Sequence, residues 1–338
     1  MPLSLNLEDT HVLITGGAGL IGLAVARAFL SEGAHVSSLD IAYNPPPDLS
    51  SDDEEEEEDR ETDYTGPGTL HEYHADVADE ASLARAWRRA VAENGPVACC
   101  VALAGLDLSV LRQAGAAGAA ASTSSSSPSS SSEGEGSVDG GNGGGGGGGG
   151  VVDVSVARFR RTLDVNVVGA FLTARQWLRG IRDAEGSWEY LENACLVLVG
   201  SESAWWGERG GADYAAAKSA VQGGLMKSLA AEAPRVYGKA RVNAVAPGPV
   251  DTARFRQECA ANPEQLWLDA QATTGLGKPV PVEAVARSIL FLSSDTFSSH
   301  VHGQVLNVDS GKQGKVLWPK EDIADLESSS QSETSEED

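Results

Sequence analysis

Tyr214 and Lys218 stand four residues apart in ADYAAAKSAV, and Ser201 lies 13 residues before the tyrosine, at the end of the apolar run CLVLVGS. These are the side chains of this 338-residue chain best suited to chemistry. The alanine-rich segment has a helical apolar period, so a spacing of four puts the phenol and the ammonium on one helix face. A free phenol titrates near pH ~10. A cation about 4 Å away, at an effective dielectric of ~20, favours the phenolate by roughly 4 kcal/mol, and desolvation takes part of that back. Such a pair can act as an acid and a base near neutral pH. A lone tyrosine and lysine at this spacing also arise by chance on surface helices, so the rest of the chain decides.

The elements that must hold these groups are strand-like runs alternating with helix-like segments. The runs are HVLIT (11–15), HVSSLD (35–40), VACCVALAG (97–105), CLVLVGS (195–201), ARVNAVAPG (240–248) and QVLNVDSG (304–311). Apolar strands separated by helices imply a parallel sheet covered on both faces, so the expected class is α/β and doubly wound. Three segments break the pattern. Residues 44–66 join a proline triplet to an acid run, 111–150 are alanine, serine and glycine tracts, and 321–338 are rich in serine and acids. None can bury enough apolar surface to offset its ordering entropy, so all three are expected to be disordered. They lengthen loops of a single catalytic domain over 1–320 without dividing it. The stretch 111–150 leaves VACCVALAG at its carboxyl end, where ligands bind in such sheets, and is read as an inert expansion rather than a cover.

The net charge of −24 is largely local: eleven acids face one arginine in 48–63, and 321–338 hold eight acids and no base. No cluster of Lys and Arg suits phosphates, so no nucleic-acid partner is expected. Cys99, Cys100, Cys195 and Cys259 form no CxxC pair, and the first three lie in apolar runs, as reduced core residues do. The opening MPLSLNLEDTHVLITGG lacks a basic region before a long apolar segment, and no apolar run nears the ~18 residues of a membrane span. A cytoplasmic protein without a membrane partner is the expectation. His71 with His74, and His300 with His302, lack cysteine or acidic partners at metal-like spacing, so no metal is assigned.

The segment HVLITGGAGLIGLAVARAFLSEGAHV reads strand, glycine turn, helix, strand, with Gly16, Gly19 and Gly22 at the turn. Glycines there let backbone N–H groups approach a pyrophosphate at the positive end of a helix. Asp40 ends the next strand, 18 residues after Gly22, which completes a dinucleotide signature. Its carboxylate would accept hydrogen bonds from the adenosine ribose and repel a 2′-phosphate. No Arg or Lys lies in the turn, so NAD is favoured over NADP. Asp76, followed by Val77 in HADVAD, reads either as an adenine contact or as a helix cap.

With the glycine turn, Ser201, Tyr214, Lys218 and VNAVAPGPVDTA in this order, the chain resembles the classical short-chain dehydrogenase/reductase family over nearly everything outside the three segments. The resemblance implies a Rossmann-type fold and hydride transfer between a nicotinamide and a small-molecule alcohol or carbonyl substrate. It implies that Tyr214 is the catalytic acid/base, and that Lys218 lowers its pKa and holds the nicotinamide ribose. Ser201 would orient and polarise the substrate carbonyl, and Asn166 in LDVNVVGAF would support a water-linked proton path. Thr15, Gly16, Gly19, Leu20, Ile21, Gly22, Asp40, Asp76 and Val77 would line the dinucleotide, with Leu103, Ala104 and Gly105. Pro247, Gly248, Val250 and Thr252 would cradle the nicotinamide and its carboxamide. The helices carrying Asn166 and Tyr214 would pair between subunits of a homodimer or homotetramer.

Two departures keep alternatives open. Leu20 stands where the family's second glycine falls, giving the TGxxGxxG spacing of its extended branch of epimerases and dehydratases, and Leu103-Ala104-Gly105 replaces Asn-Ala-Gly. A catalytically silent NAD sensor and a sugar-nucleotide epimerase or dehydratase are the rival readings. The short serine-to-tyrosine spacing, the PGPVDT turn and the lack of a sizeable substrate domain favour the oxidoreductase. Trp205 and Trp206, and Trp267 in the lid segment 253–278, read as an apolar or sugar-stacking wall or as packing. Arg254 and Arg256 read as solvated lid charges in preference to contacts for an anionic substrate.

Overall fold

Seven strands run parallel in the computed structural model, which describes residues 4–44, 66–108, 151–184, 191–318, 320 and 323. They are β1 (His11–Thr15), β2 (His35–Asp40), β3 (Thr69–His74), β4 (Cys99–Ala102), β5 (Ala194–Val199), β6 (Ala240–Pro247) and β7 (Val305–Val308), in the spatial order β3-β2-β1-β4-β5-β6-β7. The order reverses between β1 and β4, which opens a crevice beyond the carboxyl ends of those two strands. The apolar runs of the sequence supply six of the seven. The sequence reading omits β3: TLHEYH is a sheet edge that buries only Tyr73 fully, so it lacks the apolar run that marks the others.

Helices cover both faces. They are α1 (Leu20–Ser31), α2 (Glu80–Asn94), α3 (Val156–Leu163), α4 (Gly169–Asp183), α5 (Ser203–Trp206), α6 (Ala212–Ser219), α7 (Met226–Val236), α8 (Ala253–Ala261) and α9 (Val282–Ser293). Strand side chains alternate between faces. Leu13, Leu39, Leu196 and Leu198 pack with Trp87 of α2, Trp177 of α4 and Met226 of α7. Val12, Ile14, Val36 and Val197 pack with Phe29 of α1 and Val285 and Ile289 of α9. Each fully buried residue such as Phe29 contributes roughly 1.5–3 kcal/mol of transfer free energy. Cys99, Cys100 and Cys195 are buried free thiols within these layers, and Cys259 is a half-buried one.

Among the described residues α3 enters α4 through a wider turn at Asp164–Val168, α6 enters α7 through one at Ala220–Leu225, and a third lies at Leu266–Gln271. Such turns recur at functional sites. The stretches expected to be disordered, 44–66, 111–150 and 321–338, lie almost wholly outside the described residues. Among the described residues no helix is long and apolar enough to cross a membrane.

Candidate functional site

The turn after β1 is a backbone device. Gly16 has φ +78°, and a Cβ there would lie 2.7 Å from the Cα of Ala104. A Cβ on Gly22 would lie 2.1 Å from the carbonyl oxygen of Gly16, and one on Gly17 would strike the Ser38 hydroxyl. Gly19 caps α1 without a side-chain hydrogen bond, and the first turn of α1 holds no acid, which suits an anionic ligand. Asp40 ties this turn to the end of β2: its Oδ2 accepts from the Ala18 N–H at 3.0 Å and its Oδ1 from the Ala42 N–H at 2.9 Å. Thr15 is buried at the end of β1, Ile21 packs into the core, and Leu20 is half exposed. These features fit a dinucleotide pyrophosphate and ribose.

Across the crevice, Leu103 and Ala104 are partly buried against opposite faces of the sheet, and Gly105 follows them. A Cβ on Gly105 would lie 3.0 Å from Asn166 Oδ1 and 3.3 Å from Lys218 Nζ, so these three positions converge. Asn166 is buried in the wide turn between α3 and α4, where its Nδ2 donates to the carbonyls of Leu106 (2.8 Å) and Thr162 (2.9 Å). Lys218 is buried on α6; its Nζ donates to the Val199 carbonyl at 2.9 Å and lies 5.5 Å from the centroid of the Tyr214 ring. Ser201 stands just past β5, and its N–H donates to Gln222 Oε1 at 2.8 Å. Its hydroxyl partly opposes the upward shift that burial imposes on the Tyr214 phenol.

Burial governs the protonation of this group. It pushes the Tyr214 phenol well above its ordinary value, helped by the charges of Asp107, Glu208 and Glu202 and opposed by Ser201. It pushes Lys218 down to about 8, against the pull of Asp107. Desolvation is therefore the largest influence on both groups in the protein alone, against the direction expected from the spacing of four. Glu202, next to Ser201, is pushed up to about 7 by burial, although Lys312 opposes the shift from 3.4 Å.

The remaining expected residues fall in two groups. Pro247 ends β6, Gly248 presses on the Cα of Asp309 at 2.8 Å for a built Cβ, Val250 bridges to Val280, and Thr252 caps α8 by accepting from the Phe255 N–H. Asp76 and Val77 lie between β3 and α2. The cap of α2 is Asp79, not Asp76; Asp76 Oδ1 holds the Ala78 N–H instead, because it sits three residues too early to reach the first helical turn. Val77 is buried against Gly169. Trp205 and Trp206 are about half exposed on α5, with Trp205 Nε1 donating to Asn307 and the Trp206 ring packed on Gly314. Arg254 pairs with Glu258 and Arg256 with Asp251. A separate cavity within the lid is lined by Phe255, Cys259, Leu266, Leu276 and Ile323, and contains none of the four groups above. His71 pairs with Glu93, and among the described residues no three metal-ligating side chains converge.

Three supports escaped the sequence reading. Asp213, immediately before Tyr214, is fully buried and bound by both arms of Arg158 from α3, at 3.0 and 3.1 Å, and by the Thr162 hydroxyl at 2.8 Å. Arg158, Thr162 and Asn166 recur every four residues, which is the signal that could have suggested a shared face. Gln222 holds the Ser201 N–H, and Ser203 bonds the Ser201 hydroxyl.

Residues 10–123 match the family model described as short chain dehydrogenase, and residues 141–313 match that described as enoyl-(acyl carrier protein) reductase. The chain is 36% identical over 151 residues to a 3alpha-hydroxysteroid dehydrogenase of Mediterraneibacter gnavus, a match spanning 45% of this chain and 54% of that protein. It is 27% identical over 309 residues to the 3-oxoacyl-(acyl-carrier-protein) reductase of Thermotoga maritima, covering 91% of this chain and 99% of that one. A solved short-chain type dehydrogenase/reductase from Mycobacterium ulcerans shares the fold with a TM-score of 0.64 at 24% identity, over 93% of each chain.

Proposed function

The chain belongs to the short-chain dehydrogenase/reductase family, and from that premise we propose that it is an NAD-dependent oxidoreductase interconverting a small-molecule alcohol and its carbonyl compound. The observation that carries this reading is the convergence of Asn166, Lys218 and Gly105 beside Tyr214 at the reversal of strand order. When bound, the nicotinamide supplies or accepts the hydride. Tyr214 exchanges the proton on the substrate oxygen. Ser201 donates a hydrogen bond where negative charge develops on that oxygen. Lys218 uses one of its three N–H groups on Val199, which leaves donors for a ribose hydroxyl and for the phenol side. Asn166 fixes the backbone of Leu106 and Thr162, and so the shape of the proton path.

Asp40 supports NAD over NADP: its carboxylate lies in the turn itself, where a 2′-phosphate would meet like charge. The pairing of Arg254 and Arg256 with acids supports their reading as solvated lid charges. The names of the two relatives, a hydroxysteroid dehydrogenase and a 3-oxoacyl reductase, support alcohol and ketone chemistry over epimerisation. Val156, Phe159, Val168 and Phe171 are exposed apolar side chains along α3, the wide turn after it and α4, and support pairing of this helical run between copies of the chain.

Screening polyols, sugars, steroids and hydroxyacyl compounds by NADH absorbance gives the substrate. On that substrate Tyr214→Phe is expected to lower turnover 10²–10⁴-fold with NAD affinity unchanged. Retained turnover contradicts the assignment.

A further inference from the structure

Ser201 Oγ has two lone pairs and one proton, as every hydroxyl does. Two donors from one neighbour reach that oxygen: the Ser203 hydroxyl at 2.9 Å and the Ser203 N–H at 3.2 Å. The N–H can only donate, and Ser201 Oγ is the partner of the Ser203 hydroxyl. With both lone pairs engaged, Ser201 has only its own proton left to offer. Ser203 is buried at the start of α5, a helix held in place by the Ser219 hydroxyl on the Ala204 carbonyl at 2.9 Å. The Ser201 backbone is fixed independently by Gln222.

We propose that Ser203 is a positioning residue: it occupies the acceptor side of Ser201 and so commits the Ser201 hydroxyl to donate outward, toward Tyr214 and the substrate oxygen. A hydroxyl that receives one hydrogen bond donates a stronger one, so the Ser203–Ser201 chain also strengthens the outward bond. This inference rests on the proposed roles of Ser201 and Tyr214. Without the Ser203 hydroxyl one lone pair of Ser201 Oγ is released, and Ser201 can meet the phenol as an acceptor instead of a donor.

The test needs no substrate. Tyrosine labelled with ¹³C at Cζ reports by NMR the hydrogen bonding of each phenol, and Tyr214→Phe assigns the signal among the six tyrosines. In the full chain with NAD present, Ser203→Ala is expected to shift the Tyr214 signal in the same direction as Ser201→Ala. The double variant is expected to shift it no further than Ser201→Ala alone, because Ser203 acts through Ser201. Ser203→Thr keeps the hydroxyl and returns the signal to its wild-type position; Ser203→Cys, a weaker donor of similar shape, gives a smaller shift and serves if the alanine variant fails to fold. A signal that moves with Ser201→Ala but not with the Ser203 variants overturns this inference alone, as do additive shifts. A signal unmoved by Ser201→Ala overturns the Ser201–Tyr214 contact, and with it the functional reading.

Discussion

The turn after β1 and the cluster beyond β5 face the same crevice and are built by opposite means. In the turn the fit is made of missing side chains: Gly16 sits at φ +78°, and Gly22 leaves no room for a Cβ beside the Gly16 carbonyl. In the cluster the fit is made of side chains taken out of water, since Asn166, Asp213, Lys218 and Gln222 are all at most 4% exposed. The first tolerates no added atom; the second tolerates no lost partner. On the proposed function, steric exclusion shapes the cofactor turn at one end, while burial sets stability and protonation at the other.

The largest effect expected from this contrast is at Arg158. Removing it leaves the Asp213 carboxylate buried without its guanidinium, and one-sided loss of a buried pair costs about 3–5 kcal/mol. Arg158→Leu should lower the urea-unfolding free energy by that amount, and Arg158→Leu with Asp213→Leu by much less. A loss below about 1 kcal/mol, the range of exposed pairs, would break the comparison. Gly22→Ala comes next. The turn must open to admit the methyl group, and NAD affinity by calorimetry should fall about 100-fold, or ~3 kcal/mol. An alanine variant that binds NAD as the wild type does would show that the turn is soft, not packed.

The same contrast explains what could be read from the chain. A glycine required by sterics is one letter at one place, so the turn was legible, and HVLIT and HVSSLD match their strands end to end, the first buried throughout and the second through its middle four residues. The strand TLHEYH was not, since an edge needs no apolar run. Tyr214 and Lys218 were legible from their spacing, but the direction of their titration was not. Spacing states the Coulomb attraction, whereas desolvation depends on what α3, α4 and β5 bring around them. The clamp of Arg158 on Asp213 joins residues 55 apart, a meeting that only the packed helices decide. The wide turns at Asn166 and Gln222 carry no residue type that marks them.

Burial and charge pairing coincide in the cluster, and His11 separates them. It begins β1, at the end of the sheet away from the crevice, and is buried among neutral partners. The Gly95 carbonyl, 2.8 Å from Nδ1, can only accept, so Nδ1 carries the proton and Nε2 accepts from the Ser37 hydroxyl at 2.9 Å. That arrangement holds neutral imidazole, and burial pushes its pKa down to about 4 from the usual 6.5. Between these values the unfolded chain binds a proton that the folded chain does not, so folding is fully favoured by this group above pH 6.5 and loses that contribution as pH falls toward 4. The loss amounts to at most ~3 kcal/mol at 1.36 kcal/mol per pH unit, and less where water reaches the ring. Urea unfolding of the wild type and of His11→Asn across that interval should show the steeper acid dependence in the wild type. Parallel curves would mean that the ring titrates as in water, and that desolvation matters here only where a charge is already paired.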